Sequence, residues 1–294
     1  RRDLQVRGGT PSGSELLDGK VGYSIYAQPV PIGADTCAPD SMGTISVKES
    51  RVLDAGDEDG LVQLLVTESA DDPHPELPVA LAVGGPLRTR TLVEAIQEAA
   101  GDVAATWPEP SASAAWDILC RTPPRTVDGE PLADVIDHDF VEAITASVRR
   151  LNSSYVAVQG PPGTGKTYTG ARVIKNLVES GWRVGVVAQS HAVVENMLRG
   201  ALKAGLDPAL VGKQVRSADP PWTEIKGNPA IRSFLAGGTD DGRGAGRLFG
   251  GTAWDFSNTN RVLRGELDLL VIDEAGQFSL ANTIAVGVSA QRLL

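Results

Sequence analysis

Cysteine and histidine are almost missing from this chain of 294 residues, which holds two of the first and three of the second. Cys37 and Cys120 lie far apart without a C-x-x-C partner, so both are expected to be reduced thiols of a cytoplasmic protein. Two cysteines cannot hold an iron–sulfur cluster built on four. His74, His138 and His191 show no ligand spacing, which argues against a structural zinc. Aromatic residues make up only 5% of the chain, but hydrophobic residues reach 41%, ample for packed cores. No apolar run is long enough to span a membrane, no secretory signal opens the chain, and no repeat is evident. The expectation is two domains of ordinary size with no membrane partner.

A polybasic stripe is also lacking, and the net charge is −10. That charge is unevenly divided. Residues 1–150 carry 12 Lys and Arg against 25 Asp and Glu, a balance of −13; residues 151–294 carry 15 against 12, a balance of +3. Any phosphate contacts in the second half must therefore come from backbone N–H groups, hydroxyls and scattered Arg.

What is present is concentrated in that second half. Gly160-Pro161-Pro162-Gly163-Thr164-Gly165-Lys166-Thr167 is a complete phosphate-binding loop of the G-x-x-x-x-G-K-[ST] type. It follows an apolar, strand-like run, Tyr155–Gln159, and opens a helix-like run from Tyr168 to Ser180. Glycine lets the backbone turn its N–H groups around phosphate oxygens. Lys166 is placed to reach the β- and γ-phosphates, Thr167 to offer its hydroxyl to Mg²⁺, and Tyr168 to stand beside the nucleotide. The chain is expected to bind ATP.

A second element fits the first. Residues 266–272 form an apolar, β-rich run that ends in Asp273-Glu274-Ala275-Gly276-Gln277. An acidic pair at the carboxyl end of a buried parallel strand is costly unless a cation sits there. Asp273 is expected to hold Mg²⁺ and Glu274 to polarise the attacking water.

Gly160–Thr167 together with Asp273–Gln277 resembles the first RecA-like domain of a superfamily 1 helicase, in the group that holds the nonsense-mediated-decay RNA helicase. The nearest likeness is to bacterial, especially actinobacterial, fusions of a RecB-like nuclease with such a helicase. The resemblance is strong over about 150–294 and weak before about 115. Val187–Asn196 is similar to that group's motif Ia, where a Ser and a small polar residue touch the nucleic-acid backbone. Ser190 matches the Ser, and His191 stands where Asn is usual. Gly250–Trp254 resembles the next strand-end motif, whose Thr, here Thr252, also faces nucleic acid. The likeness implies an ATP-driven helicase or translocase on single-stranded DNA, with Gln277 sensing the γ-phosphate. An AAA+-type remodelling ATPase is one alternative class, since the loop sequence occurs there too; an assembly module that binds ATP without hydrolysing it is another, and RNA rather than DNA is the alternative substrate.

The pattern departs from the group in two ways. The stretch 137–150 contains no Gln where an adenine-reading Gln is usual, so base selectivity stays open. The group's Gly-Asp-x-x-Gln motif and second RecA-like domain, with its arginine fingers, are not found, and the first residue is Arg. The chain is therefore read as part of a longer protein whose partners include that second lobe and a preceding nuclease.

The expected fold class is α/β: a P-loop NTPase of RecA-like parallel sheet, preceded by a small β-rich, barrel-like domain. Alternating βαβα signals beyond 150 imply the parallel sheet, with strands near 183–187, 248–252 and 267–272. Before them, Thr44–Lys48, Leu61–Thr67 and Leu77–Val83 are short apolar runs, the first two joined by a solvated acidic hairpin loop at 54–60. Thr91–Ala100 reads as an amphipathic helix, 101–113 as a connection, and Ala114–Arg121 as a short helix. The glycine-rich segment 237–246 reads as a loop. Three segments result: an irregular lead-in, 1–42; an accessory β-rich domain with a helix, 43–113; and the P-loop domain, 114–294.

Overall fold

The computed structural model describes residues 2–9, 21–27, 43–54, 61–69, 74–83, 89–109, 112–161, 163–214, 220–237 and 246–294. Pro162, Cys37, the acidic segment 55–60 and the glycine-rich segment 238–245 lie outside the described residues. The chain divides into two compact units, Arg1–Arg88 and Thr89–Leu294.

The first unit is an antiparallel sheet of β1 (Arg2–Gly9), β2 (Tyr23–Tyr26), β3 (Gly43–Asp54), β4 (Leu61–Glu68) and β5 (Ala80–Ala82). Its strand order is β1-β4-β3-β2-β5, and it curls into a half-barrel. Alternation drives it: Val62, Leu64 and Val66 of β4 turn inward onto Leu4 and Val21, while the residues between them are more exposed. At its centre the buried Tyr26 hydroxyl donates to the buried Glu68 carboxylate at 2.5 Å, and burial drives the Tyr26 pKa upward. Two expectations need correction. The segment 1–42, expected to be irregular, supplies β1 and β2, because Leu4 and Val6 alternate with polar neighbours along the β4 edge. The helix expected to belong to this unit instead belongs to the second.

The second unit runs α1 (Arg90–Ala105), α2 (Ala114–Cys120), α3 (Phe140–Arg150), α4 (Lys166–Glu179), β6 (Arg183–Val187), α5 (His191–Lys203), β7 (Val211–Gln214), β8 (Thr223–Ile225), α6 (Asn228–Ala236), β9 (Arg247–Gly251), α7 (Ala253–Phe256), β10 (Leu269–Ile272) and α8 (Leu280–Gly287). All its strand pairs are parallel, in the order β10-β6-β9-β7-β8. The strands read as continuous apolar runs because both faces are covered. Val184, Val186, Leu248, Leu269 and Val271 pack on one face against Val148 of α3, Ile174 and Leu177 of α4 and Val194 and Leu198 of α5. Phe249 and Leu270 pack on the other against Ile231 of α6, Phe256 of α7 and Val286 of α8. Leu92 and Ala95 of α1 join this second cluster, which is why that helix parts from the β-rich unit. It also runs on to Ala105, into what reads as a connection in the sequence.

Beyond β10 the sheet is continued by the end of the chain. Leu293 bridges Leu270 on one side and Tyr155 on the other, all parallel. The Ile272 amide donates to the Leu294 carbonyl at 2.8 Å and the Val156 amide to the Leu293 carbonyl at 3.0 Å. Among the described residues the run before the phosphate loop pairs at its start, and Ala157, Val158 and Gln159 are exposed. Among the described residues no helix is long and apolar enough to cross a membrane.

Candidate nucleotide site and the neighbouring strand ends

The phosphate loop links the run that starts at Tyr155 to α4. Gly163 and Gly165 have φ of 82° and 83°, in the left-handed region that side chains resist, and Gly165 caps α4. At Gly160 a Cβ would lie 2.6 Å from Thr164 Oγ1, so any other residue would push that side chain out of the loop. Thr164 Oγ1 donates to the Pro161 carbonyl at 2.8 Å, which tightens the turn. Lys166 begins α4, and its ammonium donates to the Gly160 and Pro161 carbonyls at 2.5 and 3.1 Å. The cation thus lies across the loop, and the α4 N-terminus adds its own partial positive charge.

The acidic pair stands at the end of β10. The Asp273 amide donates to the Val187 carbonyl at 2.9 Å, which ties the residue to β6. Burial pushes the Asp273 carboxyl above the usual carboxylate range, and the Glu274 charge beside it adds to the shift. A hydrogen bond from the Glu274 amide, at 3.0 Å, and the Lys166 charge oppose it. Glu274 has a φ of 54°, a left-handed conformation that costs a non-glycine residue about 1 kcal/mol or more. It is exposed, and its carbonyl accepts the Gln277 amide at 2.8 Å in a short 3₁₀ turn, Ala275–Gln277.

These two elements share one cavity of about 670 Å³. Its walls include Gly160, Lys166, Asp273 and Glu274, with Ile144, Met197 and Phe278 among the apolar lining. The remaining expected residues are elsewhere. Thr167, half-buried on the first turn of α4, and exposed Gln277 are not on the cavity wall. Tyr168 is also off the wall and exposed.

The donor set suits a magnesium-bound triphosphate. Left-handed glycines turn amides toward an anion, Lys166 supplies a cation, and a carboxyl that burial disfavours as an anion gains from a neighbouring metal.

Ser190 and Thr252 follow β6 and β9, which pair in parallel with Val187 opposite Gly251, so both stand at the carboxyl edge. Their hydroxyls are used differently. Ser190 caps α5 by accepting from the Val193 amide at 3.3 Å, a contact that does not use its own hydrogen. His191 is the first residue of α5 and half-buried. Thr252 donates its hydroxyl hydrogen to Asp255 Oδ2 at 2.8 Å, and its amide donates to the same oxygen at 2.6 Å. Asp255 is buried, and its other oxygen accepts from Arg261, which also donates to Asn228 Oδ1 at 2.9 Å. A phosphate contact through the Thr252 hydroxyl would have to displace Asp255.

Sequence reasoning missed Asp255, Arg261 and Asn228. Thr252-x-x-Asp255 is a capping-box spacing and was the available signal. It also missed Arg172, one helical turn after Tyr168 and therefore on the same face. β7 and β8, of four and three residues, were too short for periodicity to mark.

A family model described as an AAA domain matches residues 139–292, more than half of the chain. The chain belongs to the AAA domain family, and the class is that of the P-loop NTPases, enzymes that use a bound nucleoside triphosphate. No curated protein matches the chain. Among solved structures it is similar to the arterivirus nonstructural protein 10, a helicase, at 12% identity and a TM-score of 0.32. That match covers all of this chain but only 45% of the viral protein, and at such a score it supports nothing further.

Proposed function

We propose that this chain is the ATP-binding lobe of a superfamily 1 helicase or translocase that moves along single-stranded nucleic acid, preferentially DNA. The observation that carries the nucleotide half of this reading is the convergence of Lys166, Asp273 and Glu274 on one cavity. Loop amides and Lys166 hold the β- and γ-phosphates. Thr167 and Asp273 would hold Mg²⁺, whose charge would offset the cost of burying the Asp273 carboxylate. A Mg²⁺ ion held there would supply charge neutralisation on the phosphates. Glu274 orients the attacking water and accepts its proton, and the left-handed turn at Glu274 sets its carboxylate beyond the strand end. Gln277, hydrogen-bonded through its amide to the Glu274 carbonyl, follows the γ-phosphate.

The nucleic-acid half is supported by the motif likenesses at Ser190, His191 and Thr252, with Ser190 the better donor because Thr252 is engaged by Asp255. A second RecA-like lobe supplies arginine fingers, and a nuclease accompanies the motor. The family description suits a remodelling ATPase equally well. What favours a helicase is the pairing of Asp273–Gln277 with the Ser190 segment, which a remodelling ATPase leaves unexplained. Anisotropy of labelled single-stranded DNA and RNA titrated with this chain tests the choice. Binding that Ser190→Ala weakens supports a helicase lobe. Absence of strand binding by the wild-type chain favours the remodelling ATPase.

A further inference from the structure

We infer that the cavity between α1, α2 and α8 is a second binding site, one that takes a small organic cation with an apolar body and a single ammonium group. It goes beyond the nucleotide reading above and does not depend on it. The cavity has a volume of about 480 Å³ and shares no lining residue with the nucleotide cavity. Small-molecule sites are typically about 300–1,000 Å³ and mostly apolar, with a few polar groups that orient the ligand. Its wall includes Ser153, which precedes the run that starts at Tyr155, and Ala290, which bridges Leu267 ahead of β10. The cavity therefore lies at the amino ends of these strands, whereas the phosphate loop and Asp273 follow their carboxyl ends.

Small side chains such as Ala99, Ala100 and Ala290 stand on the wall, so the space between the helices is left unfilled where close packing is the rule. Ile96, Trp116 and Ile284 add apolar surface, and an aromatic ring suits both an apolar body and a cation. Two acids of α1, Glu98 and Asp102, line the same cavity one helical turn apart. Glu98 is paired with Arg264 at 2.8 Å, and Arg264 also donates to the Ser257 carbonyl at 3.0 Å. The Asp102 carboxylate is exposed and has no partner among the described residues, so it is the uncompensated charge of the wall. Taken alone, Asp102 is a solvated helix acid, and an apolar hollow is loose packing. Together they offer burial to an apolar body and one negative charge to its ammonium. An anion of the same shape would be repelled.

Ligand-observed NMR titration of this chain at low salt with tryptamine, its neutral analogue propylindole and the anionic indolepropionate tests the inference. The three share an indole and differ in the charge at the end of a short chain. Tryptamine should bind about 2- to 5-fold more tightly than propylindole, the range that one exposed ion pair allows, and salt should erase the difference. Indolepropionate should bind most weakly. Asp102→Asn should make tryptamine and propylindole equal. Ala100→Trp and Ala112→Trp, at exposed positions on two sides of the cavity, should fill it and remove binding of all three probes, with Tm and Mg·ATP affinity kept. A wild-type chain that does not bind tryptamine overturns the inference. So does binding that survives either Trp variant, because the probe then sits elsewhere. A preference for propylindole or indolepropionate overturns it too, as does a preference for tryptamine that Asp102→Asn leaves intact. The phosphate site stands or falls separately, on Mg·ATP binding.

Discussion

At the β10 end of the sheet, Asp273 is partly buried at some cost to its charge, Glu274 is held in a left-handed turn, and Gly163 and Gly165 are left-handed as well. At the β6 and β9 ends, Ser190 and Thr252 sit in ordinary extended backbone and begin helices. One end carries strain and desolvation that its own contacts do not repay. At the other, the hydroxyls of Ser190 and Thr252 are each engaged in a local hydrogen bond. Strain and unrepaid desolvation persist where a ligand can compensate them, whereas a capping hydroxyl has already a structural reason to be present. The nucleotide end thus carries the stronger physical signature of a site, and the strand-contact end must be separated from capping by experiment.

The largest expected effect is at Glu274. Glu274→Gln keeps the size and hydrogen-bonding capacity but removes the proton acceptor, so single-turnover ATP hydrolysis should fall by about 10²–10⁴ with binding retained. An unchanged rate would move water activation to another residue and leave the left-handed turn without a purpose.

Next comes Lys166→Ala, which should weaken Mg·ATP binding by about 10- to 100-fold through loss of charged hydrogen bonds to phosphate. Circular dichroism should be unaltered, since Lys166 is exposed and bonds only to loop carbonyls. Wild-type affinity in this variant would place the triphosphate elsewhere.

The two hydroxyls give a smaller and more discriminating pair. Thr252→Ala should cost about 1 kcal/mol of stability, the usual value of a lost cap, seen as a lower Tm. Ser190→Ala should cost less, because its single capping bond is long at 3.3 Å, yet it should weaken single-strand binding more than Thr252→Ala does. The reverse ranking in strand affinity would mean that Asp255 releases Thr252 when nucleic acid binds.

The smallest effect is thermal. The Asp273 pKa is raised in the folded protein, so the native state holds that proton more tightly than the unfolded chain. The raised value costs stability once pH climbs above the usual carboxylate range, and costs nothing below it, where both states are protonated. Asp273→Asn should therefore raise Tm at neutral pH and lose that advantage in acid. Added Mg²⁺ should raise Tm in the wild-type chain and not in the variant; an equal response would remove Asp273 from the metal site.

Local signals made much of this legible. Gly160–Thr167 and Asp273–Gln277 are short strings whose chemistry depends on adjacent residues, and the parallel sheet followed from apolar runs alternating with helical ones. The segments that escaped are those whose role depends on distant partners. Leu4 and Val6 show only one strand's worth of alternation, and β4 makes that strand real. The α1 helix is amphipathic in any setting, and only Phe256 and Val286 decide which unit receives its apolar face.

By itself, the order of residues determined a phosphate loop, an acidic strand end and an α/β class, because glycine conformations, side-chain chemistry and hydrophobic period are properties of neighbouring residues. Tertiary structure alone decided that Lys166 and Asp273 share a cavity, since parallel pairing through Leu293 carries the start of the loop's strand and the end of β10 to one edge. It also decided that the hydroxyl hydrogen of Thr252 belongs to Asp255 and that of Ser190 is not spent on its cap. A hydrogen bond is made by distance and angle, and only the folded chain sets those.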